Sequence, residues 1–94
     1  MESLKTLSDF FSAISKDARI STTHIGIYAS LLEYRRECNF VNPVTAFSHQ
    51  IMKIAKISSS NTYNKCVRDL SDYGYIKYIP SFKNNIGSKI FFPE

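Results

Sequence analysis

The sequence predicts a mainly α-helical domain with a small β-hairpin: a three-helix core, one helix before it and a hairpin after it. Three observations lead there. Apolar residues recur at three- and four-residue spacing in four separate stretches, as in helices that bury one face. The last stretch halts at Gly74, and the runs beyond it, Tyr75 to Pro80 and Lys89 to Phe92, are β-formers separated by the turn-prone KNNIGS. Finally, 94 residues with 44% hydrophobic and 14% aromatic content suit one compact core and argue against disorder. The chain therefore reads as a single domain, 1–94, in which residues 1–20 supply the first helix and a connection and residues 21–94 form the core. It has no internal repeat, low-complexity tract or dividing linker.

Leu4 to Ile14 carries Leu4, Leu7, Phe10, Phe11 and Ile14 as one apolar stripe, and the polar SKDAR segment ends it. Ser21 or Thr22 caps a second helix, Thr23 to about Cys38, whose buried face is expected to use Ile27, Leu31 and Tyr34, with Ile25, Tyr28 and Leu32 beside them. This is the longest helix and the expected backbone of the core. Phe40 to Phe47 contains Pro43 and no helical period, so it predicts a connection with a short strand near Val44 to Phe47. Ser48 is the expected N-cap of a helix from His49 to Ile57. The hydroxyls of Ser58, Ser59 and Ser60 compete for backbone hydrogen bonds and break that helix, and one of them caps the next.

The helix that starts near Thr62 is the most informative. Tyr63, Val67 and Leu70 share one face, and Asn61, Asn64, Lys65 and Arg68 share the opposite one. An apolar back with such a front offers the donors and acceptors that suit base edges and phosphates in a major groove. Gly74 ends the helix as a C-terminal cap, and Ile76, Lys77, Tyr78 and Ile79 open the hairpin. Lys77, Lys83, Asn84, Asn85, Ser88 and Lys89 crowd its length and tip. Tyr73, Tyr75 and Tyr78 at the helix-to-hairpin junction are expected to be core aromatics. Asp69 and Asp72 stand at i and i+3, a spacing that could hold a cation, but are expected to be solvent-facing partners of Arg68 or Lys65 or acidic groups that tune the basic field.

Charge is unevenly placed. Residues 1–46 carry five basic and five acidic groups, whereas residues 47–94 carry seven basic and three acidic ones. The whole formal net charge of +4 thus sits with the last helix and the hairpin, and a localised basic field suits a polyanion. No apolar run approaches the ~20 residues of a membrane span, and MESLKTLSDFF lacks the plan of a secretory signal, so a cytoplasmic protein with no membrane partner is expected. Cys38 and Cys66 are isolated and read as reduced structural thiols. His24 and His49 stand in no HxxxH or HExxH frame and read as surface or capping groups. Three glycines leave no phosphate loop, and GxSxG is absent. No catalytic residue, metal, cofactor or small-molecule ligand is therefore expected.

From Ile51 to Ile76 the chain resembles the winged helix-turn-helix of bacterial regulators: an apolar helix, a tight turn, a Ser/Thr-led helix, then Leu and a Gly-aromatic step into a wing. Thr62, Tyr63, Val67, Leu70, Gly74 and Ile76 carry the resemblance. More narrowly, TYNKCVRDLSDYGYIKYIPSF followed by GSKIFF is similar to small winged-helix proteins borne on bacterial mobile elements, and the layout is similar to the N-terminal domains of replication initiators. The resemblance implies a transcriptional regulator or accessory factor whose partner is double-stranded DNA. It implies contacts from Ser59, Ser60, Asn61, Asn64, Lys65 and Arg68 on the recognition helix, and from Lys77, Lys83, Asn84, Asn85 and Lys89 on the wing. A homodimer through the N-terminal helix would supply the second half-site. Lys56 replaces the usual turn glycine and Ile57 to Thr62 is one residue longer than usual, so the angle between the two helices is expected to differ from the common form. Two alternatives stand beside this reading: a winged-helix module that binds protein through its first helix and Tyr75, Tyr78 and Phe82, and a replication-initiation component.

Overall fold

Four helices and three short strands follow one another in the computed structural model, which describes residues 2–83 and 85–93, with side chains from Lys5 onward. The order is α1 (Glu2–Ile14), α2 (Thr22–Glu37), β1 (Val44–Ala46), α3 (Ser48–Ala55), α4 (Ser60–Asp72), β2 (Lys77–Ile79) and β3 (Ser88–Phe91). None of the described helices is long and apolar enough to cross a membrane.

α2 is the axis of the fold because its apolar residues run most of the way round it, and α1, α3 and α4 all pack against it. Ile27, Tyr28, Leu31 and Leu32 are buried as expected, whereas Ile25 and Tyr34 are only half-buried, and His24, Ser30 and Arg35 are buried with them. Ser21 starts the helix with a reciprocal cap: its hydroxyl accepts the His24 N–H, and its own N–H donates to His24 Nδ1 at 2.9 Å.

α1 lays its stripe on this body. Phe10 is 3% exposed, its ring stacked on Tyr28 at 3.8 Å and edge-on to Tyr75 at 5.4 Å, while Leu7 and Ile14 flank it. Phe11, one position on, is turned about 100° round the helix and leaves the stripe, 46% exposed. The side chain of Leu4 lies outside the described residues.

α3 begins at Ser48, not after it. Phe47 holds the cap position and donates its N–H to the Gln50 side-chain oxygen at 2.9 Å, so the helix start is tied from inside the helix and Ser48 is not its cap residue. The helix stops at Ala55, two residues before the expected Ile57, because Lys56 takes a left-handed conformation (φ 62°) that lets the Ile57 N–H reach back to the Met52 carbonyl at 3.0 Å. Ser59 then caps α4, its hydroxyl accepting the Thr62 N–H at 3.2 Å, and the helix starts at Ser60. At the far end Gly74, at φ 87°, supplies the backbone that bonds the Gly74 N–H to Ser71 and the Tyr75 N–H to Leu70.

The β structure is larger than a hairpin. β3 lies between β1 and β2 in a three-stranded antiparallel sheet, with Val44, Ile90 and Tyr78 in one cross-strand row and Thr45, Lys89 and Ile79 in the next. Two local devices seat β1. The side-chain amide of Asn42 exchanges two hydrogen bonds of 2.9 Å with the Phe92 backbone, and Gly87 allows close approach, since a Cβ there would stand 2.9 Å from the Ala46 carbonyl. The fully buried side chains are Ile27 and Leu31 of α2, Ile51 of α3, Val67 and Leu70 of α4, and Val44 and Ile90 of the sheet. At ~1.5–3 kcal/mol for each fully buried side chain, this cluster fixes how α4 and the sheet sit relative to each other.

Candidate nucleic-acid interface

α4 divides cleanly between core and solvent. Tyr63, Cys66, Val67 and Leu70 are buried against α2 and α3, which turns Asn61, Asn64, Lys65 and Arg68 outward at i, i+3, i+4 and i+7. Ser60 is exposed at the first turn, and Ser59 is exposed too, although its hydroxyl is already engaged as the cap. The polar front of the helix is therefore continuous over two turns.

Two of its charges have neighbours. Lys65 Nζ lies 3.1 Å from Asp69 Oδ2, one helical turn on, a solvent-screened pair that a stronger anion can displace. The Arg68 guanidinium stands 5.8 Å from the Tyr78 ring on β2, and this contact links the α4 front to the sheet. Burial pushes the Cys66 thiol above its ordinary pKa, so it sits in the helix as a protonated apolar group.

On the sheet, Tyr78 and Ile90 turn toward the core, so Lys77 and Lys89, one position along from each, stand on the outer face. Lys77 Nζ lies 5.7 Å from the Phe91 ring across the strand pair, and Lys89 lies between Thr45 and Ile79. Lys83 and Asn85 are exposed in the loop between β2 and β3, and Asn84 lies outside the described residues. The expected contact residues thus fall in two groups, the α4 front and the hairpin; Arg68 approaches β2 at Tyr78, on the sheet face opposite Lys77 and Lys89. Tyr73, Tyr75 and Tyr78 are half-buried at the junction.

Behind the front, His24 caps α2 and Asp69 pairs with Lys65 as expected, and the two residues also bond to each other. His24 is a capping group but not a surface one: it is 4% exposed, and its Nε2 lies 2.9 Å from Asp69 Oδ2. An N–H can only donate, so Nδ1 carries the lone pair that accepts the Ser21 N–H, and Nε2–H donates to Asp69. Asp69 accordingly faces inward as well as toward Lys65, and the His24 bond first, then Lys65, holds its carboxyl below the usual carboxylate range. With Cys66 these groups bring three metal-ligand types within 4.8 Å of one another, a juxtaposition that residue spacing does not reveal. The hydrogen bonds assign the His24–Asp69 pair to holding the start of α2 against the last turn of α4. A Lys65–Asp69 pair is legible as an i,i+4 spacing; the His24 link, 45 residues long, is not.

A separate groove between α1 and the body is lined by Lys5, Asp9, Phe10, Tyr28, Arg35 and Tyr75. It carries both signs of charge and holds none of the expected DNA-contact residues, whereas α1 and Tyr75, named for the protein-binding alternative, do line it. Comparison of the chain with protein-family models, with curated proteins and with solved structures gave no match.

Proposed function

We propose that this protein is a winged helix-turn-helix that binds double-stranded DNA, with α4 in the major groove and the β2–β3 hairpin as the wing on the backbone or minor groove. The observation that carries this reading is the division of α4. Its apolar residues are taken up by the core, which leaves a front of Asn61, Asn64, Lys65 and Arg68 with no structural task in the fold beyond the Lys65–Asp69 and Arg68–Tyr78 contacts. Asn side chains match adenine edges bidentately, and Lys and Arg match guanine edges or phosphates. The helix–turn–helix order of α3 and α4 and the β1-β3-β2 sheet support the same assignment. The biological role follows as a small transcriptional regulator or mobile-element accessory factor. Two copies on adjacent half-sites would supply useful affinity, and the apolar surface of α1 left for a contact between them centres on Phe11.

Selection from a randomised pool of duplex DNA by the purified protein at about 150 mM salt tests this, since purely electrostatic binding is suppressed there. The expected result is an enriched motif, and half-sites about one helical turn apart would identify a symmetric dimer. No enrichment would overturn sequence-directed binding and favour a protein-interaction module.

A further inference from the structure

We propose that Phe82 is an apolar wedge that enters the duplex at a base step and unstacks it, while Lys77, Lys83 and Lys89 seat the hairpin on flanking phosphates. This rests on the DNA-binding reading above and assigns its wing a specific task.

Phe82 is 93% exposed, whereas the other exposed large hydrophobic residues lie between 39% and 46%. Its exposure is built in. Pro80 precedes the turn, the Ser81 N–H donates to the Ser88 hydroxyl on β3 at 3.3 Å, and the Ser81 hydroxyl accepts the Lys83 N–H at 3.2 Å. Phe82 therefore projects from the middle of a short turn that is hydrogen-bonded to the sheet on one side and closed on itself on the other. The backbone that carries the ring is held in place, so its ordering cost is already met before a partner covers Phe82. The same hairpin leaves Ile79 and Ile86 at 42% and 45% exposure.

The charges around the ring indicate what covers it. Between Asp72 and Glu94 the chain has no acidic residue, and the hairpin's charges are the exposed lysines 77, 83 and 89. Two copies meeting through this tip would bring like charges together, which disfavours self-association. An apolar tip on a hairpin whose only charges are cations matches a partner that is anionic outside and aromatic within, as stacked bases between phosphate strands are. Side chains such as Phe and Ile, inserted between base steps, kink duplexes in this way. An anionic lipid surface shares the outer charge, but it makes no use of the Asn61 and Asn64 front, which the Arg68–Tyr78 contact joins to the hairpin.

The test uses the full chain and a duplex of about 30 base pairs carrying TA steps, 2-aminopurine beside them and a dye at each end. Anisotropy reports binding, 2-aminopurine emission reports unstacking, and energy transfer between the dyes reports bending. The native protein is expected to raise 2-aminopurine emission several-fold and to shorten the end-to-end distance. Phe82→Ala should abolish both changes with at most about a tenfold loss of affinity, and Phe82→Trp should restore them. Circular dichroism of each variant checks that the fold is unchanged. Binding with equal unstacking and bending by Phe82→Ala overturns the wedge, as does binding without unstacking by the native protein; both leave the DNA-binding reading in place. No binding to any duplex removes both together. Phe82-dependent sedimentation with vesicles of phosphatidylcholine and phosphatidylglycerol, in the absence of duplex unstacking, assigns the tip to lipid instead.

Discussion

Lys56 holds the turn between α3 and α4 in a left-handed conformation, at φ 62° and ψ 38°, without the glycine that such a position favours. An L-residue there is strained by about 1–2 kcal/mol, partly offset because glycine would also loosen the unfolded chain. Lys56→Gly is therefore expected to stabilise the protein by about 0.5–1 kcal/mol, read as a higher urea midpoint at unchanged m-value. An unchanged or lower midpoint would mean that the turn is relaxed around lysine. At this scale the sequence is a partial guide. Lys56 is visible as the residue in the glycine place, and Asn61, Asn64, Lys65 and Arg68 are visible as one face, because both depend on neighbours a turn or less away. His24 is legible as a capping group, but its burial and its bond to Asp69 on another helix are not. Phe82 is nameable as an aromatic, but its exposure depends on Ser81 reaching Ser88 across the hairpin.

Between elements, the least regular connection holds one of the tightest knots. The Asp17 carboxylate, in the segment joining α1 to α2, accepts from Arg19 Nε at 2.8 Å and Nη2 at 2.9 Å, and from the Tyr75 hydroxyl, just past α4, at 2.6 Å. Arg19 in turn lies over the Tyr73 ring at 3.9 Å. The Arg19 bonds, then the Tyr75 bond, hold the Asp17 carboxyl well below the usual carboxylate range. A depressed folded pKa contributes stability that is full above the unfolded value of about 4 and is lost as pH falls toward the folded one. The stability difference between native protein and Asp17→Asn should therefore be constant from about pH 7 to 5 and shrink steadily from about pH 4 to 2. Urea titrations of both proteins across that range check it, and a difference independent of pH would show that the carboxylate's charge is not what binds the two junctions. Elements themselves were largely legible where periodicity is local: α1, α2 and α4 appear with ends shifted by one or two residues. The β1–β3 pairing was not, because β1 has three residues and its partners lie 46 and 44 residues along, at Val44↔Ile90 and Thr45↔Lys89. Alternation over three residues carries almost no register information.

For the whole molecule, the question is whether the basic half acts as one electrostatic surface. All the net charge lies in residues 47–94, and the core fixes α4 and the sheet to the same body, so Lys65, Arg68 and the hairpin lysines move together. A phosphate contact made by any of them releases counterions, and each contact removed should flatten the plot of log affinity against log salt by about 0.9. If Lys65 and Arg68 both face phosphate, the double variant Lys65→Ala, Arg68→Ala should reduce the slope by about 2. Either residue spent on a guanine instead would lower affinity for the selected site more than for random duplex, with a smaller change of slope. The double variant Lys5→Ala, Lys16→Ala, which removes an equal charge from the electrically balanced half, should leave slope and affinity nearly unchanged. Isothermal binding at four or five salt concentrations separates these cases. Equal losses for the two double variants would mean that only total charge matters, and an unaltered slope in the α4 double variant would remove the α4 front from the interface.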